Sequence, residues 1–183
     1  MKKILLLLLL PAFVFGQVNT FPWVNDFESF IALEQDPNDD GDWTLWQGPT
    51  NSIATGPSGD HTTGSGIYYY IESSNPNYPN KTFITYTPTF DVSATPGKVL
   101  SFWYHMYGNA MGDLEIGVLD ASYTLLDVIS GNQGDEWHFA YYPINSVDSF
   151  KIQFKGITGS LYTSDICIDD VMISDPFNVT LGC

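Results

Sequence analysis

The chain has 183 residues, 44% of them hydrophobic and 15% aromatic, with 6 Lys and Arg against 21 Asp and Glu and a net charge of −15. Every basic residue is a lysine. That excludes a nucleic-acid partner, whose phosphates demand a basic face, disfavours anionic ligands, and makes divalent cations natural partners.

The start of the chain reads as a secretory signal peptide over residues 1–16. Lys2 and Lys3 give a basic head, Ile4 through Leu10 an apolar core, and Val14 and Gly16 the small residues before a cut at Gln17. The core runs to about a dozen residues, against the roughly twenty that cross a bilayer. No later apolar run is longer, so no transmembrane segment is expected. Residues 17–183 are enough for one two-layered domain. Its destination is outside the cell, secreted or at the cell surface, and loss of Lys2 and Lys3 takes its charge to −17.

From Trp23 to Phe30 the pattern predicts an extended segment with Asp26 and Glu28 on one side and Phe27 on the other. Residues 35–43 form a polar loop. Asp36, Asn38, Asp40 and Gly41 match the opening of an EF-hand calcium loop, but the twelfth position is Gln47 and no amphipathic helix flanks it. The loop is therefore an acidic turn rich in Asx residues. Residues 50–66 are also loop-like, with Gly59-Asp60-His61-Thr62 at their centre.

Strands are predicted at 67–71, 82–87, 98–106, 114–119, 123–129, 137–144, 150–154 and 166–173, punctuated by Gly, Asn, Asp and Pro. The richest is 98–106, where Leu100, Phe102, Tyr104 and Met106 share one face and Val99, Ser101, Trp103 and His105 the other. That is the pattern of a central strand in packed sheets. No helical period appears. The fold class is all-β, a two-sheet antiparallel jelly-roll sandwich.

In the last strand Ile166, Ile168, Asp170 and Met172 alternate with Asp165, Cys167, Asp169, Val171 and Ile173. Whichever row faces the core, a carboxylate sits among apolar side chains and needs compensation. With so few lysines, a hard metal ion bound by oxygens is one answer, and hydrogen bonds from loop amides and Thr62 are the other. The expected metal ligands are Glu28, Asp60 and Asp170, with Asp26 of second rank. The ion is expected to be a structural calcium, with sodium as the alternative.

His61, His105 and His138 have no companion at the short spacing zinc sites use, so they are packing or hydrogen-bonding residues. No G-x-S-x-G elbow and no singled-out carboxylate pair points to hydrolysis, and no enzyme activity is expected. Trp46, Tyr78, Tyr123 and Tyr162 fall at loops or strand ends, where rings can stack on sugars or anchor a partner. Asn80-Lys81-Thr82 and Asn178-Val179-Thr180 fit the N-glycosylation sequon, read here as incidental.

Five segments in order resemble the MAM domain, the extracellular adhesion-type module of meprins, neuropilins and receptor tyrosine phosphatases. They are Asp26-Phe27-Glu28; Asp40 to Trp43 with Gly59 to Thr62 and Gly66 to Tyr69; Phe102 to Gly108; Gly131 to Gly134 with Trp137; and Phe154 to Gly156 with Ser164 to Val171 and Gly182-Cys183. The resemblance implies a non-catalytic jelly roll that mediates protein–protein or cell-surface contacts. It also implies a structural calcium or sodium between the first strand, the Asp60-His61-Thr62 loop and the last strand. Such a module is often part of a longer secreted protein, and this chain is read as its first domain. Related jelly rolls bind carbohydrate, so a carbohydrate-binding module, or a glycanase or lyase acting on extracellular polysaccharide, is the alternative. Partners are accordingly an extracellular protein or a glycan. In place of the family's cysteine before the Phe102 strand stands Val99, which leaves Cys183 without its usual partner. A replacement bridge from Cys167 to Cys183 would close a loop of about 16 residues, worth about 3 kcal/mol, and the spacing leaves this open.

Overall fold

The computed structural model describes residues 16–176. The predicted leader up to residue 15, the second sequon and Cys183 lie outside them, so the Cys167–Cys183 bridge is a matter for other measurements. In chain order the strands are β1 (Trp23–Asn25), β2 (Glu34–Gln35), β3 (Thr44–Gln47), β4 (Ile67–Ile71), β5 (Thr82–Tyr86) and β6 (Phe90–Asp91). They continue with β7 (Lys98–Met106), β8 (Asp113–Leu119), β9 (Tyr123–Ser130), β10 (His138–Ile144), β11 (Ser149–Ile157) and β12 (Ile166–Ser174). No helix is present among the described residues. The first sheet runs β10-β7-β12-β4-β3 with β1 added against β12. The second runs β2-β5-β11-β8-β9 with β6 against β11. All pairings between these strands are antiparallel.

The two sheets face each other across one apolar core, and alternation decides which side chains enter it. In β11, Phe150, Ile152 and Phe154 are buried while Lys151, Gln153 and Lys155 point outward. In β7, Leu100, Phe102 and Met106 join the core and Tyr104 packs against it. Val99, Ser101 and His105 on the other face are buried as well. What covers that outer face is the segment 48–66. Gly48 O accepts from Tyr68 Oη at 2.8 Å, and Gly59 O accepts from Trp137 Nε1 at 3.2 Å. The His61 ring lies 3.7 Å from the Trp103 ring centroid to centroid, and Thr55 Oγ1 accepts from the Asp165 amide at 2.9 Å. Polar loop atoms thus satisfy groups that a third apolar layer would leave unpaired.

Two sequence expectations fail locally, each for a backbone reason. Residues 26–29 form a turn and not an extended strand. Phe27 takes φ 59°, which sends its ring into the core against Tyr69 at 5.1 Å while Asp26 and Glu28 stay outside. In β12 the register shifts between Asp169 and Met172. Asp169 faces Trp103 and Met172 faces Ser101, so Asp170 and Val171 together oppose Phe102. This β-bulge, with Asp170 at φ 49°, resets the alternation. Ile166 and Ile168 enter the core before it, Val171 and Ile173 after it. No carboxylate is forced into the apolar row.

Candidate metal centre

The bulge also does something for the surface. It places Asp169 and Asp170 side by side midway along β12, an interior strand of the first sheet. Asp60 comes from the 48–66 segment, and Asp26 and Glu28 from the turn after β1. These five carboxylates, with Thr62 and Thr63, line one cavity of about 80 Å³. All four predicted ligands are therefore brought together, from segments more than a hundred residues apart. Asp169 is the member that alternation along the strand did not single out. The Asp-Asp doublet is its only signal in the sequence, and that signal has meaning only once a bulge is assumed.

The carboxylates are held by loop groups. Asp60, 4% exposed, accepts from the Gly66 amide at 2.5 Å, the Thr63 amide at 2.9 Å and the Thr63 hydroxyl at 3.0 Å. Burial alone would raise its pKa, but these amides and the hydroxyl outweigh it and hold the carboxyl below its ordinary value. Glu28 Oε1 accepts from the Ile67 amide at 2.7 Å. Asp170 Oδ2 accepts from Thr62 Oγ1 at 2.7 Å and stands 2.8 Å from His61 Nδ1. Asp169 Oδ2 accepts from the His61 amide at 2.9 Å. Asp169 is almost fully buried, and burial beside Asp170 pushes its pKa up to about 8 despite that amide. Asp26 closes its own turn by accepting from the Glu28 amide at 3.2 Å. The loop-amide and Thr62 bonds expected from the sequence are all present.

Gly66 is what lets two of these groups meet. A Cβ there would lie 2.1 Å from Glu28 Oε1 and 2.9 Å from Asp60 Oδ2, so both oxygens occupy the space of a missing side chain. Positive charge is short. The four lysines among the described residues are each spent on another carboxylate: Lys81 on Asp40, Lys98 on Asp175, Lys151 on Glu34 and Lys155 on Glu115. In their present positions no three Asp, Glu, His or Cys side chains among the described residues could hold a metal ion between them. The donor set is nonetheless all oxygen, dense in charge and free of lysine, which is the chemistry a hard cation requires.

Other expected residues stand apart from this centre. Asp36, Asn38 and Asp40 do not form a calcium loop. Asp36 accepts from its own turn and from Tyr86 Oη, and Asp40 from Lys81 and the Thr82 amide. Trp46 lies within β3, half-buried against Tyr70, with Nε1 bound to Pro49 O. Tyr123 begins β9 in the other sheet, and Tyr78 and Tyr162 sit in loops. No two of these four rings stack on each other, so they do not make one platform.

Comparison with known proteins agrees with this architecture. The family model for the MAM domain, meprin/A5/mu, matches residues 26–176. The chain is 36% identical over 155 residues to MAM domain-containing glycosylphosphatidylinositol anchor protein 1 of Gallus gallus, covering 80% of this chain and 16% of that protein. It is 36% identical over 150 residues to thyroid hormone-induced protein B of Xenopus laevis, covering 79% of this chain and 21% of that protein. The chain thus spans a fifth or less, about, of the length of the curated relatives it matches. Among solved structures, the K2 cleaved adhesin domain of Lys-gingipain superposes with a TM-score of 0.59 at 14% identity, over 84% of this chain and 99% of that one. The K3 adhesin domain from Porphyromonas gingivalis gives 0.52 at 17% identity, over 83% and 96%. Those two likenesses concern the fold alone. The family match over most of the chain, with its first and last matched segments meeting at the carboxylate cavity, shows that the chain belongs to the MAM domain family.

Proposed function

We propose that this chain is a non-catalytic extracellular adhesion or recognition domain, stiffened by one structural calcium ion at the junction of its two ends. One observation carries the reading: five carboxylates from the first turn, the 48–66 segment and the last strand surround one cavity with no lysine among them. Glu28, Asp60 and Asp170 are its ligands, with Asp26 and Asp169 in support. Coordination requires these side chains to turn inward from the hydrogen bonds they now make. The ion would offset their mutual repulsion and tie β1, the loop and β12 into one unit. A calcium-sensing switch is not implied, because the cavity joins elements already packed together. One matching relative is named a MAM domain-containing glycosylphosphatidylinositol anchor protein, which supports a place at the cell surface or in the extracellular space.

Calcium at about one hundred times its dissociation constant stabilises a folded state by about 2.7 kcal/mol. For a domain of this size that raises the melting midpoint by about 5–10 °C. EDTA is expected to remove the increment and added calcium to restore it. A midpoint indifferent to both refutes the calcium site.

A further inference from the structure

The outer face of the second sheet carries a row that crosses five of its six strands. Glu34 of β2 stands opposite Tyr86 of β5, Tyr86 opposite Gln153 of β11, Gln153 opposite Gly117 of β8, and Gly117 opposite Leu125 of β9. Directly opposed residues share a face, and in β5 and β11 the alternate residues fill the core, so the row points away from it; across the irregular β8–β9 pairing Leu125 continues it, being exposed. Its side chains are half-buried or exposed. Gly117 leaves room for a ring. A Cβ there would lie 2.3 Å from Tyr123 Cε2, so the Tyr123 ring rests over the glycine while 43% of the residue stays exposed. Tyr86 lies on the other side of Gln153, fixed by its hydroxyl donating to Asp36 at 2.8 Å.

Two of the four lysines among the described residues stand on this face, yet it stays acidic on balance, with Glu34, Asp36, Asp39, Asp113 and Glu115 around them. Lys151 is paired with Glu34 and lies 5.8 Å from the Tyr86 ring centroid, and Lys155 is paired with Glu115 at 3.1 Å. Asp36 and Asp39 stand beside Tyr86 without a lysine partner among the described residues. The Tyr123 ring and the Tyr86 ring, with Lys151 over the latter, flank an amide, and two lysine–carboxylate pairs border them. Such a surface offers hydrogen bonds and stacking to an uncharged ligand and repels an anionic one. With β11 between them, β5 and β8 are about 10 Å apart, close to the length of two sugar units.

We propose that this face binds an uncharged polysaccharide, its sugar rings stacked on Tyr86 and Tyr123 and its hydroxyls bonded to Gln153, Lys151 and Lys155. The inference rests on the recognition role proposed above and names its ligand. It also gives Tyr123 different companions from Trp46, Tyr78 and Tyr162.

The test is affinity electrophoresis and calorimetry of the full chain with laminarin, β-1,4-galactan and xylan as neutral probes and alginate and polygalacturonate as anionic ones. Reducing ends are assayed in the same mixtures. At least one neutral polymer is expected to bind and neither anionic one. Tyr123→Ala and Gln153→Ala should each weaken binding about tenfold, the loss of one stacked ring or one shared amide. Trp46→Ala should leave it unchanged. No binding to any neutral polymer overturns the inference, as does binding indifferent to Tyr123→Ala and Gln153→Ala, binding confined to the anionic polymers, or self-association through Leu125 in its place. Release of reducing ends would instead overturn the non-catalytic reading and leave the surface standing.

Discussion

Asp165 is fully buried at the start of β12, under the 48–66 segment. Its Oδ1 accepts from the Ser73 amide and hydroxyl, both at 2.9 Å, while its Oδ2 has no partner among the described residues. Burial outweighs those bonds and moves its pKa from 3.8 to about 6. In the unfolded chain the group ionises near its ordinary value, so between those two values the folded state binds the extra proton. Stability from this group is fully present below about pH 4 and is lost as pH rises to about 6. At about 1.4 kcal/mol per pH unit the loss totals about 3 kcal/mol. Asp165→Asn keeps an oxygen for Ser73 and removes the titration. Urea unfolding of both proteins from pH 4 to 7.5, in EDTA to exclude metal linkage, is the assay. The stability of the parent minus that of the variant should fall by about 2 kcal/mol between pH 4 and 6 and level off above pH 7. Asp169 contributes a slope of the same sign over a wider window, up to about pH 8, but to both proteins equally. Two parallel stability curves would refute the reasoning, because they would mean that Asp165 titrates alike folded and unfolded.

Two further substitutions test the centre and its support. Gly66→Ala should abolish the calcium-dependent rise in melting midpoint, because its methyl occupies the space of Glu28 Oε1 and Asp60 Oδ2; an undiminished rise would place the ion elsewhere. Phe27→Ala empties a fully buried site stacked on Tyr69 and should cost about 3–5 kcal/mol in urea unfolding. It should also weaken calcium binding, measured by titration calorimetry, since the Phe27 ring anchors the turn that carries Asp26 and Glu28.

Eight of the strands could be read from alternation and turn residues, since a sheet with one face in the core imprints a period of two on its sequence. β11 is the clearest case, with Phe150, Ile152 and Phe154 in and three polar side chains out. The short strands β2, β3 and β6 carry too few residues to show any period, and their pairing partners lie far along the chain. Four of the five carboxylates at the cavity are named from the sequence for a different reason, and Asp169 is not. Acidic residues in three segments of a chain almost without cations need partners, and loop amides and Thr62 supply hydrogen bonds to them.

By itself, then, the sequence determined that the chain is all-β and acidic beyond any role with nucleic acid. Tertiary structure decided what periodicity cannot encode. The bulge at Asp170 is one extra residue, invisible in composition, yet it returns Val171 and Ile173 to the core and turns two aspartates toward Asp60. The turn at Phe27 does the same at the other end, and the row from Glu34 to Leu125 exists only because five separate strands take up one register. Side-chain chemistry is local to each residue, whereas the facing of one residue by another is a property of the pairing.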